Sequence, residues 1–250
     1  MKRALIVLAL FALAGSSVLA QEEPIPPKRS KLAKIGLFGG FTPGWLSVDM
    51  KSVNDFVLAA RGAPLSENGV FMAGGGGAIY VMVLPNVRIG GMGMSGSVKS
   101  TALDAGGIRR DAKFNVGFGV VSIEYVFPIV ERLDIAAGIM LGGGGIDLTM
   151  RVSNGGNNTW QSEQKYLSDG LGGAVNNVTR QYSGAFFVWI PTVNVEYTVL
   201  GWLAFRVGAS YVGMSFPSWQ VDGNYELLGV PSNVSGKGFM VQGGVLLGVF

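Results

Sequence analysis

The sequence predicts an all-β protein: an eight-stranded antiparallel up-and-down transmembrane β-barrel with one short amphipathic helix in its first long loop. Three observations predict it. The chain opens as an export signal. It is too apolar for an ordinary soluble domain, yet past that signal it offers no run of eighteen apolar residues free of charge. And its apolar residues alternate, in eight runs separated by connections that are short and long in turn.

The opening "MKRALIVLALFALAGSSVLAQEEP" carries Lys2 and Arg3, an apolar stretch from Ala4 to Ala14, and the small-x-small sequence Val18-Leu19-Ala20. That is the form of a secretory signal peptide, residues 1–20, with cleavage expected after Ala20. The net charge of +3 loses Lys2 and Arg3 with it and falls to +1, so the pI of about 9.2 does not point to nucleic acid. Residues 21–32, within the Pro-rich and charged "QEEPIPPKRSKLAK", read as a periplasmic lead-in, and residues 33–250 as the barrel domain.

Charged residues are 14% of the chain, against roughly 25% in soluble domains. The mean hydropathy is +0.39. An exported chain of this kind without a spanning helix satisfies its backbone in hydrocarbon by closing a sheet. The absence of cysteine removes a disulfide-stapled secreted scaffold.

The eight runs cover about 33–42, 69–84, 87–101, 109–127, 132–151, 182–199, 202–221 and 236–250. "LPN" (84–86), "PIVER" (128–132) and "TVLGW" (198–202) read as short turns; 43–68, 102–108, 152–181 and 222–235 read as long connections. Such asymmetry, with an even strand number, puts the short turns and both ends of the barrel on the periplasmic side. In the first long connection Met50, Val53, Phe56, Val57 and Ala60 recur at helical spacing. Ser47 or Asp49 is the predicted cap, and Gly62 and Pro64 the stop. The helix is expected to cover the barrel mouth, with a membrane-resting helix and a lumen plug as the other arrangements. The sequons at Asn157, Asn177 and Asn233 read as chance.

Signal, runs, turn asymmetry and the terminal Phe250 resemble the small bacterial outer-membrane barrels of the OmpA-domain, OmpX and OmpW type, which are porin-like in architecture. The resemblance covers the mature chain and carries no functional motif. It implies residence in the outer membrane, contact with its lipid and insertion by the barrel-assembly machinery. On this reading Phe250 is a membrane anchor at the interface.

Alternation assigns faces. Val193, Val195, Tyr197 and Val199 face lipid while Thr192, Asn194 and Glu196 face the lumen, and the other strands follow the same parity. Arg88, Glu124, Asp134, Glu196 and Arg206 then all point inward near the short-turn end. They form either a satisfied ion-pair cluster plugging a narrow barrel or a gate for solutes. Inward glycines within "GGGG" at 74–77 and 142–145 leave room for bulky neighbours or for a cavity. "GMGMSG" at 91–96 opens no helix and carries no dinucleotide reading. The eighth strand is apolar on both faces, so part of the lumen is expected to be greasy.

The chain has no histidine, which excludes a Ser-His-Asp arrangement and a His/Cys zinc site. No catalytic, cofactor-binding or metal-binding residue is assigned. The expected function is a non-enzymatic surface-display scaffold with a plugged lumen, offering loops 43–68, 153–181 and 222–235 to an extracellular ligand. The alternatives are a narrow pore or conduit for small or hydrophobic solutes, and a soluble lipocalin-like ligand binder.

Overall fold

The computed structural model describes residues 36–153, 161, 164, 177–231, 234 and 236–250, without the side chains of 216 and 217. The predicted signal peptide, the lead-in and residues 154–160, 162–163 and 165–176 of the long loop lie outside them.

The chain runs β1 (Leu37–Phe41), β2 (Gly44–Leu46), α1 (Lys51–Ala59), β3 (Val70–Tyr80), β4 (Val87–Leu103), β5 (Arg109–Val130), β6 (Leu133–Ser153), β7 (Asn177–Leu200), β8 (Leu203–Val221), β9 (Tyr225–Glu226) and β10 (Gly238–Val249). Every pairing is antiparallel. β1 bonds β3 through Leu37↔Ile79 and β10 through Leu37↔Val249, so the sheet closes on itself. β1 and β2 act as one strand, because both lie between β3 and β10. The result is a closed ring of eight strands.

Three expectations are corrected. The first strand does not stop at residue 42: Pro43 lacks an N–H and interrupts the ladder, but its carbonyl accepts from Gly243 N at 2.9 Å and the strand resumes at Gly44. The 102–108 connection is not long. The Asp104 carboxylate accepts from Gly106 N (3.0 Å) and Ile108 N (2.9 Å), and Gly107 takes φ 76°, which tightens it into a five-residue turn between β4 and β5. The 222–235 connection contains β9, paired back onto β8 through Val221↔Tyr225.

α1 lies where the periodicity puts it. Asp49 Oδ1 accepts from Lys51 N at 2.9 Å, while Ser47 stays in the ladder with its N–H on Phe239 O at 2.8 Å. Met50, Val53 and Val57 are buried, but Phe56 and Ala60 are exposed, so the buried stripe is narrower than predicted. Asn54 takes part of the apolar face and is itself buried. It accepts from Leu65 N (2.8 Å) and donates to Leu65 O (3.1 Å), strapping the return segment to the helix. Asn54→Leu removes both bonds and strands the Leu65 polar groups, at about 1–3 kcal/mol. The expected result is faster protease cleavage within 60–68; an unchanged cleavage rate would show that the strap carries no stability.

The wall alternates strictly. Val193 (52% exposed), Val195 (45%), Phe205, Val207, Ile123 and Phe239 point out, and Thr192, Asn194, Glu196, Ala204 and Met240 point in. The interior is a continuous apolar core from Ile190, Val188 and Phe118 through Phe114, Ile146 and Met214 up to Val53 and Val57 of α1. The helix therefore packs its buried side into the barrel mouth. The inward glycines are filled by their neighbours: a Cβ on Gly144 would stand 2.6 Å from the Phe186 ring, and one on Gly96 2.8 Å from Met72 Sδ.

Candidate functional site

The ladder register brings the inward charges together. Arg88 pairs with Glu124 across β4–β5, and Asp134, Glu196 and Arg206 are consecutive partners across β6, β7 and β8. Arg88 is completely buried. It donates through Nε to Glu124 Oε2 (2.6 Å), through Nη1 to Glu196 Oε2 (2.7 Å) and through Nη2 to Glu196 Oε1, a two-pronged guanidinium–carboxylate contact. Arg206 completes the group, with Nη2 at 2.7 Å from Glu196 Oε1 and 3.9 Å from Glu124 Oε2. Its Nη2 is out of line for a hydrogen bond, so the contact is ionic only.

Asp134 is buried opposite Glu196, next to a small cluster of Tyr80, Val126 and Ala136. Two arginines thus face two glutamates directly, with the Asp134 carboxylate beside them.

Residues with no charge complete the tier; parity had already put Thr192 and Asn194 in the lumen, but did not give their hydrogen bonds. Asn194 Nδ2 donates to Glu124 Oε1 at 3.0 Å, and Gln242 Nε2 donates to Asn194 Oδ1 at 3.0 Å. Ser210 Oγ lies 3.0 Å from Thr192 Oγ1. Phe38 is a platform for both cations, with the guanidinium carbons of Arg88 and Arg206 at 5.1 and 5.3 Å from its ring centre. Inward parity signals the polar members; Phe38 gives no signal in sequence because it reads as one more apolar strand residue. Beside the tier is a cavity of about 20 Å³, lined by Thr42, Ser122, Glu124, Met140 and Arg206 among others. It has room for about one water molecule.

Phe250 is placed differently from the predicted anchor. Its ring stacks on Phe38 with centres 5.5 Å apart, beside Ala78, Ala204 and Leu246 on the inner face. The reason is parity: in β10 the even positions Met240, Gln242 and Leu246 point inward, and Phe250 continues them. Outward aromatics near the short-turn end include Tyr125 and Phe127, with ring centres 4.7 Å apart, together with Tyr197, Trp202 and Phe205.

At the other end, a pocket of about 340 Å³ lies between α1 and the 227–231 segment. Val53, Phe56, Leu148, Tyr182, Trp219 and Leu227 form its apolar walls, with Ser52 and Asp55 at its edge. Phe56 and Tyr182 meet edge to face at 5.2 Å. Nearby, the Gln181 backbone N–H (3.1 Å) and the Arg180 guanidinium hold the Asp222 carboxyl below the usual carboxylate range. Because the folded value is the lower one, this contribution is present above the ordinary carboxylate range and is lost as pH falls through the folded value. Pepsin is therefore expected to cut the 222–229 segment faster as pH is lowered, with Asp222→Asn abolishing the step. A step that persists in the variant would assign it to another group.

Among the described residues no group of three or more His, Cys, Asp or Glu side chains is arranged to hold a metal ion. No helix of the described residues is long and apolar enough to cross a membrane, which leaves strands free to do so.

No protein-family model matches the chain, and no curated protein is similar to it. Similar solved structures are outer-membrane β-barrels. Ail of Yersinia pestis, solved with the heparin analogue sucrose octasulfate, is 9% identical, with 85% of this chain and 97% of that chain covered and a TM-score of 0.37. A major outer membrane protein from Thermus thermophilus is 8% identical over 85% and 98%, with a TM-score of 0.44. The outer membrane protease OmpT of Escherichia coli is 10% identical over 86% and 93%, with a TM-score of 0.29. An apolar exterior around a closed antiparallel ring, with the inward Arg88, Glu124, Glu196 and Arg206 paired in the lumen, is the architecture of a small transmembrane β-barrel.

Proposed function

We propose that this chain is a non-enzymatic outer-membrane barrel: a rigid scaffold, sealed along its axis, that presents its extracellular rim. The observation that carries this reading is the filling of the lumen. The Arg88–Glu124–Glu196–Arg206 tier occupies one end, the apolar core continues to α1, and the cavity beside the tier measures about 20 Å³. An eight-stranded barrel is just wide enough for side chains to fill. The outward rows of Val193, Val195, Val207 and Phe239 support a membrane over a lipocalin-like soluble setting. The lack of any histidine and the arginines on both buried glutamates support a structural rather than a catalytic role for the carboxylates.

Insertion into planar bilayers tests the seal. The wild type is expected to need detergent, to shift mobility on boiling and to pass no ion current. Arg206→Ala, at the edge of the tier, is expected to lower thermal stability and remain non-conducting. A steady wild-type conductance would overturn the sealed reading in favour of a narrow conduit. Recovery of the wild type without detergent would overturn the membrane reading itself.

A second reading, recognition of a small apolar molecule at the rim, rests on the 340 Å³ pocket, whose size and apolar walls suit a small ligand. Trp219 is buried in its wall and serves as the reporter. Titration with an apolar fluorescent probe such as ANS is expected to quench part of the tryptophan emission in the wild type, and that part is expected to be lost in Trp219→Phe and in the pocket-filling Val53→Phe. Equal quenching in all three would place the probe elsewhere.

A further inference from the structure

We infer that the rim pocket between α1 and the 227–231 segment takes a small organic cation, an ammonium group carried on a short apolar body. This rests on the rim-recognition reading above and narrows its ligand from apolar molecules to cationic ones.

The lining is aromatic and carries a single sign of charge. Phe56, Tyr182 and Trp219 contribute three rings. Phe56 and Tyr182 meet at an interplanar angle of 79°, so their planes form a corner rather than a stack. Aromatic faces are electron-rich and attract an ammonium group that comes within about 6 Å of the ring centre, most strongly when the ring is tryptophan. Among the described residues that line the pocket, Asp55 is the one acid, and there is no lysine or arginine. Rings with a carboxylate at their edge ask for a cation with apolar substituents; an anion would meet the carboxylate and the negative ring faces. The volume of about 340 Å³ lies at the small end of the roughly 300–1,000 Å³ typical of ligand sites, so the guest is small.

Helical spacing builds this edge. Asp55 and Phe56 follow Ser52 at the third and fourth positions along α1, which sets all three on one side of the helix and puts the carboxylate on the same wall as the Phe56 ring. The carboxylate is not locked away. Its one cationic partner among the described residues is Lys51, with Nζ 3.1 Å from Oδ2, and the two side chains are 75% and 61% exposed. An exposed pair of this kind is worth little, so a cation held against the rings competes with Lys51 on favourable terms. Arg180, close to Tyr182 on β7, is held by Asp222. Glu226, next to the lining residue Leu227, is exposed and adds to the negative field.

Height decides what can reach the pocket. From Tyr197, at the lower interface, to Tyr182 is roughly 50 Å of β7 at about 3.4 Å per residue. A tilt of roughly 40° makes that a height of about 40 Å, beyond a hydrocarbon layer of about 30 Å. Acyl chains therefore end below the pocket, and its guest arrives from water. An ammonium group keeps an apolar body soluble there. A plain hydrocarbon of the same size would partition into the membrane beneath.

The test uses the full mature chain in maltoside micelles, which carry no ammonium headgroup. Two probes of one shape are titrated by ligand-observed NMR: choline, and 3,3-dimethylbutan-1-ol, in which carbon replaces the charged nitrogen. The wild type is expected to bind the cation roughly fivefold more tightly than the alcohol. Lys51→Gln is expected to tighten the cation about threefold and Asp55→Asn to weaken it about threefold, with the alcohol unchanged in both. ANS, whose sulfonate is anionic, is expected to respond to Asp55→Asn in the opposite sense. Val53→Phe is expected to remove both probes while the barrel still shifts on boiling. Equal affinity for the two probes, binding of neither while ANS still quenches, or a cation affinity indifferent to both charge variants would overturn the cation inference and leave the pocket a site for apolar molecules. Both probes retained by Val53→Phe, together with unchanged ANS quenching, would remove the rim reading with it.

Discussion

Arg88→Ala is expected to destabilise the barrel by about 3–5 kcal/mol, the cost of leaving buried charge without its partner. Arg88 has no exposed surface, and its three donors reach two different carboxylates. Without it, Glu124 and Glu196 share only Arg206, at 3.9 and 2.7 Å. The measurement is the temperature or urea concentration at which the compact form is lost in micelles. A triple variant, Arg88→Met with Glu124→Gln and Glu196→Gln, removes the charges as well as their partner and is expected to recover most of the loss. Wild-type stability in Arg88→Ala would mean that water already reaches the two glutamates, and the sealed lumen would be refuted.

Gly142→Val is expected to block barrel assembly, whereas Gly143→Val leaves it nearly unchanged. The residues are adjacent but face opposite ways. A Cβ on Gly142 collides with the carbonyl oxygen of Gly119, and backbone cannot yield without breaking the β5–β6 ladder. On Gly143 the nearest atom is the Phe186 carbonyl oxygen at 3.4 Å, an ordinary contact. The compact fraction after refolding into micelles reads the difference. Equal yields would show that the ladder can shift locally and that the glycine runs are not set by interior crowding.

This contrast explains what could be read in advance. Strand number and facing were legible because one period governs them: the side chain that must meet the outside at Val193 recurs at Val195 and Tyr197, with Asn194 and Glu196 between. The same period placed Arg88, Glu124, Asp134, Glu196 and Arg206 in the lumen. Which of them touch depends on register, and register is set by turns whose lengths the sequence blurs. "PIVER", for example, shrinks to Glu131 and Arg132, with Arg132 at φ 70°, because β5 continues to Val130. Asn54 was not marked in the sequence, because its value lies in two bonds to a residue eleven positions further along the chain. Pro43 looked like an end because its missing N–H is visible in sequence, whereas the carbonyl that keeps its place in the ladder is not.

The seam between β1 and β10 has a kinetic consequence. Leu37 and Val249 are neighbours across it, although they lie at opposite ends of the described chain. Most of the other ladders join strands adjacent in sequence, so they can zip from their own turns with little loop entropy. Closure of the seam is therefore expected to come last, from a curved open sheet with two unpaired edges. Pro43 keeps the first of those edges from being a continuous row of donors, which makes it a poor template for a second molecule. Phe38 and Phe250, stacked across the seam, are then the latch that turns a reversible curl into a closed barrel.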